Sequence, residues 1–183
     1  MADRLTKEDW VRHGLEALAR DGVSAIKADR LARELKVSRG SFYWHFADIG
    51  AFRGALLDVW EEASTTQVIE ETDPSAGQAA LLDLIERSLA DDRRLDRAVR
   101  AWAVQSKEAA ERVAKVDERR IEHICALLQS CGLEPKPSGQ RSQFLYWSYL
   151  GRGDAHIKRA SRKELAAALT QMLIGEISSS SEG

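Results

Sequence analysis

The sequence predicts an all-α fold of about nine helices, and three observations carry that expectation. Apolar residues recur at spacings of three and four through most of the 183 residues, the period of a helix with one buried face. No stretch alternates apolar and polar residues as a half-buried strand would, and no internal repeat is present. Recognisable start and stop signals bracket the periodic stretches.

The first helix begins at Thr6, which makes a capping-box pattern with Asp9, while Leu5 and Trp10 stand at the two positions of a hydrophobic staple. Val11, Leu15 and Leu18 then share a face, and Gly22 is a natural stop. A second helix is expected from Ala28 to Leu35, burying Leu31, Ala32 and Leu35, with small Ala32 allowing a close crossing. Lys36 stands where a tight turn between two helices commonly places a glycine at positive φ, a cost on the order of 1 kcal/mol for any other residue. Val37 plugs that turn, Ser38 is a good N-cap, and a third helix runs from Arg39 to His45 with Phe42 inward.

From Asp48 to about Glu71 a fourth helix carries Phe52, Leu56, Leu57 and Trp60 on one face, and ETDPSAG at 71–77 breaks it. Helices are then expected over Gln78 to Leu89 and Leu95 to Gln105, followed by a long one from Lys107 to Ser130 that Gly132, Pro135 and Pro137 end. Two more cover Ser138 to Gly151 and Ser161 to about Ile177. The tail SSSSEG is expected to be disordered. This divides the chain into a helix-turn-helix domain at 1–47, a larger helical domain at 48–177 and the tail at 178–183.

Charge is distributed unevenly. Lys27, Arg30, Arg33, Lys36 and Arg39 face only Asp29 and Glu34 between Lys27 and His45, a local balance of +3. Residues 51–183 carry 18 basic and 21 acidic side chains, and the whole chain is at −2. A small basic face on a mildly acidic body suits a polyanion held at one end. Two short helices around a tight turn, the second exposing Tyr43, Trp44 and His45, can enter a DNA major groove. Burying those three side chains as a core cluster is the competing reading. It fails on geometry, because a helix of seven residues already flanked inward by Phe42 and Phe46 cannot bury them too.

Cys125 and Cys131 show no metal-ligand spacing, and Cys125 shares helical spacing with Ile121, Ile124 and Leu128, as a core residue would. Histidines 13, 45, 123 and 156 are dispersed. No cofactor or metal is expected. No apolar run approaches the roughly 20 residues of a membrane helix, and the amino end lacks the apolar core of a secretory leader, so no membrane association is expected and the expectation is cytoplasmic.

The stretch from Leu5 to about Trp60, above all VSRGSFYWHF, resembles the DNA-binding domain of the TetR/AcrR family of bacterial transcriptional regulators. RAVRAWAVQSKEAAERVAKVDERR resembles a stretch found in one branch of the family, while elsewhere the similarity is one of length and helical pattern. The resemblance implies that Lys27, Ser38, Arg39, Gly40, Ser41, Tyr43, Trp44 and His45 contact DNA. Arg39 and Ser41 would read base edges; Tyr43, Trp44 and His45 would hold the sugar-phosphate flank; Gly40 would allow close backbone approach. Lys27 stands where the family usually has a threonine cap and is kept as a phosphate partner. Ile49 replaces a phosphate-binding lysine of many relatives. Asp29 replaces a base-reading arginine of some, leaving it to accept from a cytosine amine or to play no part.

The resemblance further implies a homodimer on a palindromic double-stranded operator, and release by a small-molecule effector. Leu165, Ala166, Leu169, Met172 and Leu173 on the last helix are the expected dimer interface, against the reading that they pack only within their own subunit. Trp60, Trp102, Gln105, His123, Tyr146 and Tyr149 combine aromatic bulk with polar handles and are the candidate effector pocket. An activator or an effector-independent DNA binder fits the same sequence. A helical enzyme finds little support, since no P-loop, GxSxG or HExxH motif is present and no catalytic residue is expected.

Overall fold

The computed structural model describes residues 5–152 and 159–175. Among them there are ten α-helical segments and no strand. These are α1 (Lys7–Asp21), α2 (Ala28–Glu34), α3 (Arg39–His45), α4 (Ile49–Glu61), α5 (Gln67–Glu71), α6 (Gln78–Ala90), α7 (Arg94–Ala103), α8 (Lys107–Ser130), α9 (Pro135–Gly151) and α10 (Arg159–Ile174). A π turn at Glu62–Thr66 joins α4 to α5 in one uninterrupted helical run, so nine rods result. The tail at 178–183 and His156 lie outside the described residues.

The chain forms two compact units, one from residues 1–66 and 93–116, the other from 67–92 and 117–183. In the first, α1 starts as the sequence predicts: Thr6 Oγ1 accepts from Asp9 N at 3.1 Å, and Asp9 Oδ2 accepts from Thr6 N at 3.0 Å. Gly22, at φ 74°, stops it. Helix α1 packs on α4 and α7, and Gly14 is what permits the first approach, because a Cβ there would lie 2.5 Å from Phe52 Cζ. Phe42 is the hub of the core: its ring meets Trp10, Phe46 and Phe52 at 5.2–5.3 Å between centroids. Each such pair adds about 0.5–1.5 kcal/mol beyond its burial. Leu18, Ile26, Leu31, Leu56, Leu57, Trp60, Val99 and Trp102 complete the cluster.

The entry to α4 dispenses with the missing lysine. Asp48 Oδ1 accepts from Ala51 N at 2.8 Å, a side-chain cap, and Ile49 is partly buried against the same core. The π turn occurs where Ser64, Thr65 and Thr66 follow one another; Ser64 Oγ donates to the Trp60 carbonyl, the backward bond that loosens helical pitch. Glu61 is buried, and Arg112 Nη1 at 2.8 Å and Lys115 Nζ at 3.3 Å compensate its charge. Burial pushes that carboxyl up, but the hydrogen bonds from Arg112 and Lys115 outweigh it and hold it below the usual range.

The second unit gathers α6, α9, α10 and residues of α8 around Leu81, Ile85, Leu127, Leu128, Tyr146, Ala166 and Leu173. Helix α10 lies along α6. Gly132, at φ 93°, ends α8 as expected, but Pro135 and Pro137 do more than mark that end. Pro135 occupies the first turn of α9, where its fixed φ suits a helix and its missing N–H costs nothing. Helix α9 therefore begins three residues before the expected Ser138. No helix of the described residues is long and apolar enough to cross a membrane.

Candidate nucleic-acid interface

Helices α2 and α3 pack against each other through Leu31, Ala32 and Phe42, all buried. Lys36 turns the chain between them at φ 57°, the left-handed conformation expected at that position, and Val37 N reaches back to Ala32 O at 3.0 Å. With Phe42 and Phe46 turned inward, helical geometry carries their neighbours outward. Tyr43 is 45 % exposed and Trp44 68 %. Arg39 and Gly40 are exposed as well, Ser41 is half-buried, and Lys27 is exposed just before α2.

Of the expected DNA-contacting residues, Ser41 and His45 are half-buried and the others are exposed. His45 Nε2 lies 2.9 Å from the Leu5 carbonyl, so it donates into the fold and ties α3 to the start of the chain. With that N–H committed, the neutral imidazole has no second N–H to give a phosphate, which reduces the gripping role expected of it. Ser38 sits at the N-cap of α3 with extended backbone, but its hydroxyl accepts nothing from the first turn. Lys27 occupies the same place before α2, likewise without a side-chain cap. Around Gly40 a Cβ would meet nothing closer than Ser38 Oγ at 3.7 Å. Packing within the protein therefore does not require glycine there.

The basic residues divide into two sets. Arg30 is committed to the fold: with Arg20 it brackets Asp21 and Glu34, and His13 Nε2 meets Glu34 at 3.0 Å. The hydrogen bond from Arg30, followed by that from Arg20, holds the Glu34 carboxyl below its usual range. Lys27, Arg33 and Lys36 are exposed. Arg39 takes a third arrangement that the sequence did not suggest. Its Nε is 3.2 Å from Asp29 Oδ1 on α2, its Nη2 donates to Tyr43 Oη at 3.0 Å, and its guanidinium lies 5.3 Å from the Tyr43 ring centroid. Both interactions, Tyr43 more than Asp29, push the guanidinium pKa up.

The other candidate sites are less concentrated. Of the six effector candidates, Trp60 and Trp102 are buried in the core of the first unit and Gln105 is exposed after α7 in that unit. His123, Tyr146 and Tyr149 belong to the second, so neither unit gathers all six. Tyr146 Oη donates to Asp117 Oδ1 at 2.6 Å, and Tyr149 Oη to Asp91 Oδ2 at 2.9 Å. His123 is half-buried, its Nε2 has no protein partner, and burial together with the charge of Arg87 lowers its pKa.

The expected dimer stripe splits by helical phase. Ala166 and Leu173 are buried within their own unit and Leu169 is partly buried against the same cluster, whereas Leu165 and Met172 point outward. Phe144 and Trp147 of α9 are 57 % and 63 % exposed. They share that outward side of α9 with exposed Gln140 and Gln143.

The arrangement at residues 28–46 defines a helix-turn-helix DNA-binding head. Residues 11–56 match the family described as bacterial regulatory proteins, tetR family, and the head is of that family. Among solved structures, the chain is similar to the reduced form of E. coli NemR, with a TM-score of 0.68 and 20 % identity over 91 % of this chain and 96 % of that one. A TetR-family member from Streptomyces coelicolor A3 aligns with a TM-score of 0.63 and 20 % identity over 90 % of this chain and 98 % of that one. At such identity the likeness is one of fold. No curated protein matches the chain.

Proposed function

We propose that the protein is a sequence-specific regulator of transcription that binds double-stranded operator DNA as a homodimer and represses until a small molecule releases it. The observation that carries this reading is the outward presentation of Arg39, Gly40, Tyr43 and Trp44 on a short helix whose opposite side is locked by Phe42 into an aromatic core. A rigid helix with its donors outward meets the main requirement of groove recognition, since flexible side chains on a loose support would lose the entropy of ordering.

In this reading Lys27, Tyr43 and Trp44 hold phosphates and sugars, while Arg39 and Ser41 meet base edges. Two heads are needed because one covers too few base pairs, and exposed Phe144, Trp147, Leu165 and Met172 supply apolar surface for a second copy. For effector binding, His123 and the Tyr146–Asp117 pair give the second unit a partly polar interior. An effector needs only about 1–3 kcal/mol of differential binding to shift operator affinity usefully. A duplex-DNA partner supports a cytoplasmic location in this reading.

The test is fluorescence anisotropy of the purified chain on duplexes from the region upstream of its own gene. The expected result is binding that weakens roughly 10³-fold or more as salt rises from about 50 to about 200 mM, with upstream DNA preferred over scrambled DNA. Absence of any such preference at low salt overturns the proposal.

A further inference from the structure

The reading of α3 as the DNA-contacting helix leaves one acidic residue unexplained. Asp29 stands in the first turn of α2 and is exposed, on the side of the head that would meet a polyanion. A carboxylate placed there repels phosphate unless its charge is used. It is used on Arg39, whose Nε lies 3.2 Å from Asp29 Oδ1. The pair is exposed on both sides, 59 % for Arg39 and 62 % for Asp29, so it adds little to the stability of the fold. Its consequence must be sought in where the guanidinium points.

We propose that Asp29 is a specificity-determining positioning residue that holds Arg39 for base reading and withholds it from phosphates. This deepens the proposed function and rests on it. The chemistry follows from the five N–H groups of a guanidinium in their fixed plane. Asp29 takes the Nε edge, and Tyr43 Oη takes one proton of Nη2 while the ring supports the flat face. The outer fork, one proton from each Nη, is left to meet the O6 and N7 acceptors of a guanine. Tyr43 accepts from Arg39 and so keeps its own hydroxyl proton to donate to a phosphate oxygen, which registers the two contacts against each other.

Without Asp29, the same guanidinium gains orientations in which it pairs with the nearest phosphate, a contact that every sequence offers. Base preference then falls as affinity for random DNA rises. Arg39 becomes one more phosphate contact, and a negative charge leaves the interface.

The experiment selects bound duplexes from a random-sequence pool with the wild-type chain, Asp29→Asn, Arg39→Ala and the double variant, and measures each variant's salt dependence on random duplex. Wild type is expected to enrich a sequence with one strongly preferred base pair per half-site that Arg39→Ala abolishes. In Asp29→Asn that preference falls from roughly tenfold or more to within about twofold. The affinity of this variant for random duplex rises, and its salt slope steepens by about one per head. In the Arg39→Ala background Asp29→Asn shifts no base preference. Thermal melts of the single variants should match wild type, which separates positioning from folding. An Asp29→Asn selection identical to wild type, or an equal shift with and without Arg39, overturns the inference alone. A wild-type chain that enriches no sequence overturns the proposed function together with it.

Discussion

Gly14 lacks a side chain in the middle of α1, and the cost in helix propensity is repaid by contact. A Cβ would come within 2.5 Å of Phe52 Cζ and 2.8 Å of Leu56 Cδ2, both on fully buried side chains that cannot swing away. Gly14→Ala is therefore expected to destabilise the fold by about 1–3 kcal/mol, despite alanine's better propensity, when measured by urea denaturation. A neutral or stabilising effect would contradict the close α1–α4 packing. Lys36 presents the opposite case, a side chain where the backbone at φ 57° favours none. Lys36→Gly should stabilise by about 1 kcal/mol in the same assay, because the left-handed strain disappears.

His123 carries a pH dependence of definite sign. Burial and the charge of Arg87 lower its folded pKa, so the unfolded chain takes up the proton first as pH falls. Its contribution is complete above about 6.5, the value in the unfolded chain, and is lost as pH drops through the folded pKa. The second unit should lose stability on mild acidification, and His123→Gln should flatten that loss in melting curves recorded from pH 7 downward. Identical slopes for both proteins would contradict the assignment.

At the scale of elements, legibility in the sequence followed distance along the chain. The capping box of α1, the stop at Gly22, the left-handed turn at Lys36 and the long α8 were all readable, because each is decided by residues within one or two turns. The two prolines in the first turn of α9 mark an end in the sequence when they also form a beginning; the same fixed φ serves both, and only the following helix tells them apart. The outward placement of Tyr43 and Trp44 on α3 was legible from their position beside Phe42 and Phe46. The pairing of Arg39 with Asp29 was not, since it depends on the angle at which α2 and α3 cross, and no local rule supplies that.

The ion pairs of Glu61 with Arg112 and Lys115 belong to the same illegible kind, joining helices more than fifty residues apart. Arg112→Ala takes a hydrogen-bonded cation from a carboxylate whose side chain is only 10 % exposed. A cost of about 1–3 kcal/mol in chemical denaturation is expected, from a buried charge left under-compensated. A change of less than about 0.5 kcal/mol would show that the pair is as weak as an ordinary surface contact.

For the molecule as a whole, the proposed function depends on there being two heads, and in that proposal a second copy covers apolar surface carried by α9 and α10. Phe144, Trp147 and Met172 are each more than half exposed and supply the large apolar side chains of that proposed surface. Trp147→Arg should convert a dimer to a monomer in sedimentation at micromolar concentration while leaving the melting of the head unchanged. Wild-type sedimentation as a monomer at that concentration would remove the dimer from the account. Sequence periodicity identified α10 as amphipathic but could not phase it. The division of Leu165 and Met172 outward from Ala166 and Leu173 inward is set by its packing on α6.

The most direct measurement is a hydroxyl-radical footprint of the full chain on the DNA upstream of its own gene, at low salt and without added small molecules. Two protected patches related by a two-fold axis, with their centres about 34–36 Å or a multiple of that apart, are the predicted outcome, and Arg39→Ala should blur them. Uniform cleavage along every upstream fragment, under conditions where the protein is folded, would contradict the account at its centre.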